Sequence, residues 1–490
     1  MKKERKSNNK SLRNAGILLL ILTIALFFRL YKINNPLADF FSWRQADTAS
    51  VARNFVHNGF DILHPRYDDL SNIQTGQENP QGYRMVEFPL YNGIFALMYK
   101  TLPILPLEVY GRITSIFFSL ILIAIIYYFL HKEIGNTAAV AGSLVYAVFP
   151  FFVFFSRVVL PDTTAISLTF ISLFFLYLFS QEKQKGKSAF YYIMSILFYA
   201  AGILTKPTVI FYSISSIYLF YKKYGFRAFS QVIFYVYFVI GLIPFIWWRY
   251  HISFYPEGIP VSEWLITHVN TPQGRESIFF RPAFFRWIFY ERINNIILGA
   301  YLSFIFLLGI FAKHKKYFFY SLLVTSTLYL FVFQGGNVQH EYYQIMILPT
   351  IAIFIGVGVG IIKKNSRFFI SPVIIVPSVI GIFAISFLFS FYTVKDYYNY
   401  SNELIEIAKI IRYVTKPEDL IVTDTTGDTT LLYLSERRGA PAPFKDFSEL
   451  KKSGYKYFVT QNKEVIENLK SEKKYPERFL DTDKFAIFSL

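Results

Sequence analysis

The stretch 368-FFISPVIIVPSVIGIFAISFLFSFY-392 decides the fold, because its apolar side chains continue far enough to cross a bilayer of about 30 Å. A similar run, 14-NAGILLLILTIALFF-28, has no small-residue cleavage site after it and is followed by further apolar runs, so it predicts an uncleaved membrane helix. Of the 490 residues, 53% are hydrophobic and 17% are charged, against about 25% charged in a typical soluble domain. The sequence therefore predicts an α-helical polytopic membrane protein.

The positive charges of the chain are distributed in a way that predicts its topology. The net charge is +17, but the Lys and Arg residues cluster in short connections between apolar runs, which is the positive-inside pattern and not that of a nucleic-acid-binding surface. The N-terminus is therefore predicted to be cytoplasmic. About eleven transmembrane helices are predicted, over 14–31, 109–130, 137–155, 163–180, 189–204, 208–221, 229–248, 293–312, 317–333, 343–362 and 368–392.

Two domains are predicted from the change in composition near residue 393. Residues 1–392 form a transmembrane domain with an outer loop over 32–107, which contains juxtamembrane helices, and a second outer loop over 249–291. Residues 393–490 alternate short helices and strands, which indicates a small α/β domain outside the membrane. Its strands are expected at 419–425 and 455–461 and its helices at 402–414, 427–439 and 463–472.

Several classes of protein are excluded or disfavoured by what the sequence lacks. It contains no cysteine, so disulfides, thiolate metal sites and cysteine nucleophiles are excluded. It contains no P-loop, which argues against transport driven by ATP. The acidic segment 424-DTTGD-428 follows a strand, where Asp and Gly usually form a turn.

The polar stretch 36-PLADFFSWRQADTASVARNF-55 directly follows the first membrane helix. From Trp43 onward its apolar residues have helical spacing, which predicts a short helix along the membrane surface. Asp39 precedes this helix, where amide donors of the first turn favour a carboxylate. Asp39 and Asp47 are candidate general bases; the alternative for Asp47 is a surface ion pair with Arg44 or a lysine.

Further polar residues are predicted on the same outer face, and ionisable groups at membrane depth are functional candidates. For each of them a simpler role is open, namely a helix cap, a snorkelling lysine or an interfacial aromatic. His64 and Asp68 have the spacing of metal ligands on a helix, but Pro65 interrupts that helix, so no metal or other cofactor is favoured. The remaining candidates are Glu87, Arg157, Asp162, Lys206, His340, Tyr342 and Tyr343.

These motifs resemble those of the GT-C superfamily of polytopic glycosyltransferases, in the branch of protein O-mannosyltransferases and aminoarabinose transferase-like proteins. The similar features are one helix, then a long outer loop with an early acidic residue, and a soluble α/β tail. The similar motifs are 43-WRQADTASVARNF-55, 87-EFPLYNG-93, 157-RVVLPD-162, 205-TKP-207 and 340-HEYY-343. Many relatives carry paired Asp-Glu acids where this chain has 43-WRQ-45, so both Asp39 and Asp47 stay candidates.

The resemblance implies transfer of a sugar from a polyprenyl-phosphate donor to a lipid, glycan or protein acceptor, on the outer face of the plasma (inner) membrane and with inversion. One Asp would act as general base. The donor phosphate would be bound by Arg44, Arg157 and Lys206, and the sugar or acceptor by Glu87, Asp162, His340, Tyr342 and Tyr343. Three alternatives remain: a flippase for lipid-linked sugars, a metal-dependent oligosaccharyltransferase or polysaccharide ligase, and a non-enzymatic scaffold.

Overall fold

The structure is a computed structural model that describes residues 2–260, 278–312, 314–369, 371–471, 477–482 and 484–490. Residues 261–277 of the predicted second outer loop, 249–291, lie outside the described residues. The chain packs as two compact units. The first unit comprises Met1–Ile33, Arg112–Trp247 and Glu263–Tyr397, and the second comprises Asn34–Gly111, Trp248–Ser262 and Tyr398–Leu490.

The elements before residue 395 are helical. The α-helices are α1 Lys2–Leu30, α2 Ser42–His57, α3 Leu90–Thr101, α4 Leu107–Glu133, α5 Asn136–Val148, α6 Pro150–Phe155, α7 Asp162–Gln181, α8 Lys185–Thr205, α9 Ser213–Tyr224, α10 Val232–Ile252, α11 Pro282–Phe285, α12 Leu302–Phe311, α13 Tyr317–Val332, α14 Gln334–Gln339, α15 Leu348–Phe369 and α16 Pro372–Val394. Arg286–Ile297 is a π-helix, and 3-10 turns lie at Pro207–Tyr212, Gly225–Ser230, Pro256–Gly258, Ile278–Phe280, Glu341–Ile347 and Lys395–Tyr398.

In the described part of the chain, seven helices are long and apolar enough to cross a membrane, or up to eight if the bent pair Pro282–Ile297 and Leu302–Phe311 counts as one span. The predicted class of multi-pass helical membrane protein is thereby confirmed. Each of the eleven predicted helices has a helical counterpart, although α5 and α13 are shorter apolar helices and the counterpart of 208–221 is a 3-10 turn followed by the 12-residue α9. The exact number of spans stays a prediction.

Pro150 divides the predicted helix 137–155 into two pieces, and the break at Pro207 lies between the two predicted helices 189–204 and 208–221. Phe149 is extended between α5 and α6 because Pro150 disfavours helical backbone at the residue before it. Lys206 is likewise extended between α8 and Pro207, where the chain continues as a 3-10 turn. Each break ends one helix and begins another. Lys206 lies at the second break, between the end of α8 and Pro207.

Small residues allow helices of the first unit to pack closely. A Cβ atom added to Gly356 of α15 would lie 2.6 Å from the carbonyl oxygen of Ala138 in α5. One added to Gly142 of α5 would lie 2.7 Å from the carbonyl oxygen of Ala352. Both contacts are too short for a side chain, so glycine is required where α5 and α15 touch, as is common between membrane helices.

The second unit contains the mixed sheet that the C-terminal sequence predicted. Its strands β1 Leu420–Thr423, β2 Gly439–Ala440, β3 Tyr455–Thr460, β4 Glu477–Asp481 and β5 Ala486–Ser489 lie in the order β2-β1-β3-β5-β4. The pairs β1–β2 and β1–β3 are parallel, whereas β5 runs antiparallel to β3 and β4. The helices of this part are α17 Asn402–Val414, α18 Thr430–Ser435, α19 Phe447–Lys452 and α20 Lys463–Ser471.

Two apolar clusters cover the two faces of this sheet. Ile421 packs with α17 and α18 through Ile411 and Leu432, and the neighbouring Val422 packs on the other face with Phe458. Successive strand residues point to opposite faces, so both faces of β1 are buried. The predicted helix over 427–439 is shorter than expected, because α18 spans only Thr430–Ser435.

The outer loop 34–111 packs in the same unit as the C-terminal part, an arrangement that sequence order alone does not suggest. Asp69 forms a parallel bridge with Gly439, where Leu70 N–H donates to the Gly439 carbonyl and Gly439 N–H donates to the Asp68 carbonyl. This bridge adds the outer loop to the edge of the sheet beside β2. The predicted division into domains 1–392 and 393–490 stays a prediction.

Candidate functional site

The first cluster of predicted site residues lies around α2 in the second unit. Arg44, Gln45 and Asp47 are as deeply buried as the alanines Ala46 and Ala49. Polar groups at this depth are costly unless they are hydrogen-bonded or paired. The helix predicted to lie along the membrane surface is thus buried on its polar as well as its apolar positions, and its polar side chains have to be satisfied inside the unit.

Asp39 lies in the turn before α2 and is 2% exposed. Its Oδ1 accepts a hydrogen bond of 2.7 Å from Gln45 Nε2, and the same amide donates to the Phe40 carbonyl at 3.0 Å. The residue at the helix N-cap is Phe41, in left-handed backbone conformation. Asp39 thus does not occupy the N-cap of α2, and a hydrogen bond from the side chain of Gln45 orients its carboxylate.

Arg44 forms its ion pair with Glu87. Its Nη2 lies 2.8 Å from Oε1 and 3.0 Å from Oε2 of Glu87. Two alternatives from the sequence are thereby corrected, because Arg44 is not the partner of Asp47 and because the N-cap of α3 is Pro89 rather than Glu87. The pair joins α2 to the chain just before α3.

Asp47 is held on both carboxylate oxygens. Arg84 Nη2 lies 2.8 Å from Oδ2, and Thr429 Oγ1 donates to Oδ1 at 2.7 Å. The Asp47 side chain is 0% exposed. The expected surface ion pair of Asp47 is therefore a buried one that links α2 to Arg84 of the outer loop, and the hydrogen bond from Thr429 links α2 to the segment before α18.

Two further aspartates of the outer loop are buried beside this cluster. Burial raises the pKa of Asp68, and the paired guanidinium of Arg53 opposes that shift. Burial also raises the pKa of Asp69 to about 6, against the hydrogen bonds that Asp69 accepts from Ser71. The suggested metal spacing of His64 and Asp68 does not bring them together, because His64 pairs with Asp61.

The second cluster lies in the first unit and joins residues from three distant stretches of sequence. Asp162 begins α7, and Lys206 ends α8. Lys206 Nζ lies 3.3 Å from Asp162 Oδ1 and about 6 Å from the ring centres of Tyr342 and Tyr343. His340 stacks on Tyr342 at a ring-centre distance of 5.4 Å. Asp162, Tyr342 and Tyr343 thus lie around the buried Lys206, and His340 joins them through the Tyr342 ring.

Arg157 is fully buried, and its guanidinium donates hydrogen bonds to backbone carbonyls. Its Nη1 donates to the Tyr31 carbonyl at 3.0 Å and its Nη2 donates to the Lys32 carbonyl at 3.1 Å. Lys32 has a positive φ of 51°, which is uncommon outside glycine. These contacts indicate that Arg157 stabilises the turn after α1, and its predicted role in phosphate binding stays untested.

Arg292 and Thr429 belong to these networks but were missed from the sequence. Arg292 lies on the π-helix, pairs with Glu341 at 3.1 Å and donates to the carbonyls of Asn337 and Val338. The signal for Arg292 was a charge inside the largely apolar run 286-RWIFYERINNII-297. Thr429 gave no signal, because its partner Asp47 is 382 residues away.

Among the residues that the structure describes, no three His, Cys, Asp or Glu side chains are grouped as metal ligands. The carboxylates of the first cluster instead contact guanidinium, amide or hydroxyl groups. The arrangement can hold carboxylates and cations in fixed positions, as proton transfer and stabilisation of an anion require.

Comparison with known proteins places the fold. Residues 106–250 match the family model described as dolichyl-phosphate-mannose-protein mannosyltransferase. The structure is similar to that of ArnT from Cupriavidus metallidurans bound to undecaprenyl phosphate, with a TM-score of 0.67 and 13% identity over 97% of this chain and 98% of ArnT. No curated protein matches the sequence.

Two other solved structures are similar to this chain at lower scores. The archaeal oligosaccharyltransferase AglB from Archaeoglobus fulgidus, in complex with an inhibitory peptide and a dolichol-phosphate, has a TM-score of 0.58 and 10% identity over 92% of this chain and 70% of AglB. The arabinofuranosyltransferase AftD from Mycobacteria has a TM-score of 0.56 and 10% identity over 97% of this chain and 41% of AftD. The predicted resemblance is confirmed: the chain is a multi-pass membrane protein with the GT-C fold.

Proposed function

We propose that this chain, with its GT-C fold, is a membrane glycosyltransferase that moves a sugar from a polyprenyl-phosphate donor to an acceptor. The observation that carries the proposal is the carboxylate of Asp39, buried at the start of α2 and oriented by Gln45. Two similar proteins support the class of donor, since ArnT was solved with undecaprenyl phosphate and AglB with a dolichol-phosphate. The sugar and the acceptor are left open by these likenesses.

The reaction requires a general base on the acceptor. An acceptor hydroxyl attacks the anomeric carbon of the donor sugar while the base takes its proton. The bond between that carbon and the phosphate oxygen breaks, the polyprenyl phosphate leaves with the electron pair, and the anomeric configuration is inverted. Asp39 is our choice for the base, because Arg84 and Thr429 already engage both oxygens of Asp47.

The leaving phosphate requires cations, since its negative charge grows as the bond breaks. Lys206 is our first choice, because it is 7% exposed and a charge in such surroundings is weakly screened. Arg44 is the second choice, with Glu87 holding it in position. The sugar or the acceptor near Lys206 is then contacted by Asp162, His340, Tyr342 and Tyr343. Beside Arg44, Glu87 also contacts the sugar or the acceptor.

The reaction is proposed for the outer face of the plasma (inner) membrane. The basic clusters that predict the cytoplasmic side lie in the connections opposite to the outer loop 32–107. The N-terminus is then cytoplasmic and the C-terminal residues 393–490 are extracytoplasmic, with the polyprenyl chain of the donor in the bilayer.

The test is sugar transfer from radiolabelled polyprenyl-phosphate sugars by the purified full chain in proteoliposomes, with and without EDTA. We expect consumption of the donor in both conditions. If EDTA stops the transfer, the protein is instead a metal-dependent oligosaccharyltransferase or ligase. If the labelled lipid crosses the bilayer without losing its sugar, the protein is instead a flippase. A matched control is Glu464→Gln, an exposed carboxylate on α20 that should leave transfer unchanged.

A further inference from the structure

The second unit contains a polar cavity that the proposed reaction does not use. It has a volume of about 220 Å³ and lies at the C-terminal end of α2. Asn54 is seven residues beyond Asp47 on this helix, a distance of about 10 Å along the axis at ~1.5 Å per residue. The cavity therefore lies about two helical turns beyond Asp47, and further along from Asp39, which precedes the helix.

The lining of the cavity combines hydrogen-bonding groups of both kinds. Asn58 Nδ2 donates to Asn54 Oδ1 at 2.7 Å, which orients the Asn58 amide. Asp61 supplies a carboxylate that is 60% exposed. Arg66 packs over the Tyr83 ring, and no described residue accepts a hydrogen bond from its guanidinium. The cavity thus offers donors and acceptors a short distance apart.

The frame around these groups is fixed by neighbouring contacts. His64 Nδ1 pairs with Asp61 at 2.7 Å, and its Nε2 lies 2.8 Å from the hydroxyl of Tyr255. With one ring nitrogen at each partner, His64 holds the Asp61 carboxylate in one place. The His64 pairing also lowers the pKa of Asp61, although partial burial opposes it, so the carboxylate is ionised near neutral pH.

The charges and the apolar part of the lining select the class of ligand. Asp61 and Arg66 carry opposite charges, so the lining has no net charge and offers a free anion no advantage. Phe55 and Phe60, with ring centres 4.9 Å apart, supply an aromatic surface, and Phe60 is 38% exposed. Hydroxyl groups both donate and accept, and the C–H face of a sugar ring is apolar, so a neutral sugar fits each feature.

We propose that this cavity binds one neutral sugar unit of the acceptor. Its volume is below the roughly 300–1,000 Å³ of sites for drug-sized ligands, which suits a single ring. Since it lies far along α2 from Asp39, the bound unit is not the one that reacts. The acceptor is then a glycan of several units, an assignment that rests on the proposed function and specifies its acceptor.

The test measures binding of methyl glycosides to the full chain in nanodiscs by saturation-transfer NMR. The four ligands are the methyl glycosides of glucose, galactose, mannose and N-acetylglucosamine. We expect at least one of them to bind, and Arg66→Gln and Asn58→Ala each to weaken it by about tenfold through lost hydrogen bonds. Lys463→Gln on α20 removes an equal charge from an exposed position and should have no effect.

The experiment distinguishes failure of the cavity assignment from failure of the proposed function, because glycoside binding and sugar transfer are measured separately. The Asp39→Asn variant should still bind the glycoside, so loss of transfer in that variant leaves the cavity assignment intact. The assignment is overturned if none of the four glycosides binds, if both cavity variants bind as tightly as the wild type, or if inorganic phosphate binds in their place. A wild type that binds the glycoside without transferring sugar would overturn the proposed function alone.

Discussion

The two clusters of buried charge differ in how each charge is held. In the cluster around α2, Asp47 and Glu87 are each paired with a guanidinium, and Asp39 accepts from a neutral amide. In the first unit, one lysine is paired with one aspartate and has aromatic rings about 6 Å away. The comparison indicates that the α2 cluster orients carboxylates, whereas the other cluster holds a lysine beside one carboxylate and aromatic rings.

The largest expected effect comes from Asp39→Asn, which tests whether the α2 cluster contains the base. Loss of a general base should lower the rate of sugar transfer by roughly 10²–10⁴-fold, since an amide cannot take the proton. The measurement is transfer in proteoliposomes, with thermal unfolding of the same preparation as a control for folding. If Asp47→Asn shows that loss with an unchanged melting temperature while Asp39→Asn is active, the assignment of the base is reversed.

Lys206→Gln tests the lysine that is paired with Asp162 in the first unit. Removing a group that stabilises the leaving phosphate should lower the rate of transfer by roughly 10²-fold. The variant also leaves Asp162 buried without its lysine, so part of any loss could come from stability. The double variant Asp162→Asn/Lys206→Gln removes both charges and should regain thermal stability while transfer stays low. Recovery of transfer in the double variant would assign Lys206 a purely structural role.

Asp47→Asn tests the opposite property of the α2 cluster, its role in stability. The change leaves the guanidinium of Arg84 without a carboxylate partner, and breaking a buried pair costs about 3–5 kcal/mol of the free energy of unfolding. We expect a lower melting temperature and a smaller loss of transfer than for Asp39→Asn. Arg84→Met in the same chain should recover part of the stability. A melting temperature equal to that of the wild type would contradict the buried pairing.

The smallest expected effect is a change in pH dependence at Asp69, beside the α2 cluster. Its pKa is raised to about 6 in the folded chain by burial, against about 3.9 when unfolded. Between about pH 4 and pH 6 the folded state keeps a proton that the unfolded state has lost, so stability decreases as the pH rises. Asp69→Asn should reduce the fall in melting temperature across this range. Identical slopes in the variant and the wild type would show that Asp69 does not cause it.

Much of the fold could be predicted because its signals are local. Runs of apolar residues located the helices, and α17 matches the predicted segment 402–414 at both ends. Alternation of short strands and helices likewise predicted the sheet. Pro150 divided the predicted helix 137–155, because a proline restricts the backbone of the residue before it, whereas the break at Pro207 falls between the predicted helices 189–204 and 208–221.

The candidate site could be predicted only in part, because its residues are satisfied by partners that are distant in sequence. The sequence identified Asp39, Asp47 and Lys206 as unusual polar residues. It could not identify the partner of Asp47, since Arg84 and Thr429 come from an outer loop and a C-terminal segment. For the same reason it could not identify the carbonyls after α1 to which Arg157 donates, and the phosphate-binding role of Arg157 stays a prediction.

The hydrogen bond from Thr429 to Asp47 has a consequence for synthesis of the protein. The two residues are 382 positions apart, so at about 5–20 residues per second the ribosome takes roughly 20–75 s to deliver Thr429 after Asp47 has emerged. During that interval the carboxylate of Asp47 lacks one of its partners, and the loop strand at Asp69 lacks the edge at Gly439. A chain released before residue 429 would therefore have its apolar helices but not a complete α2 cluster.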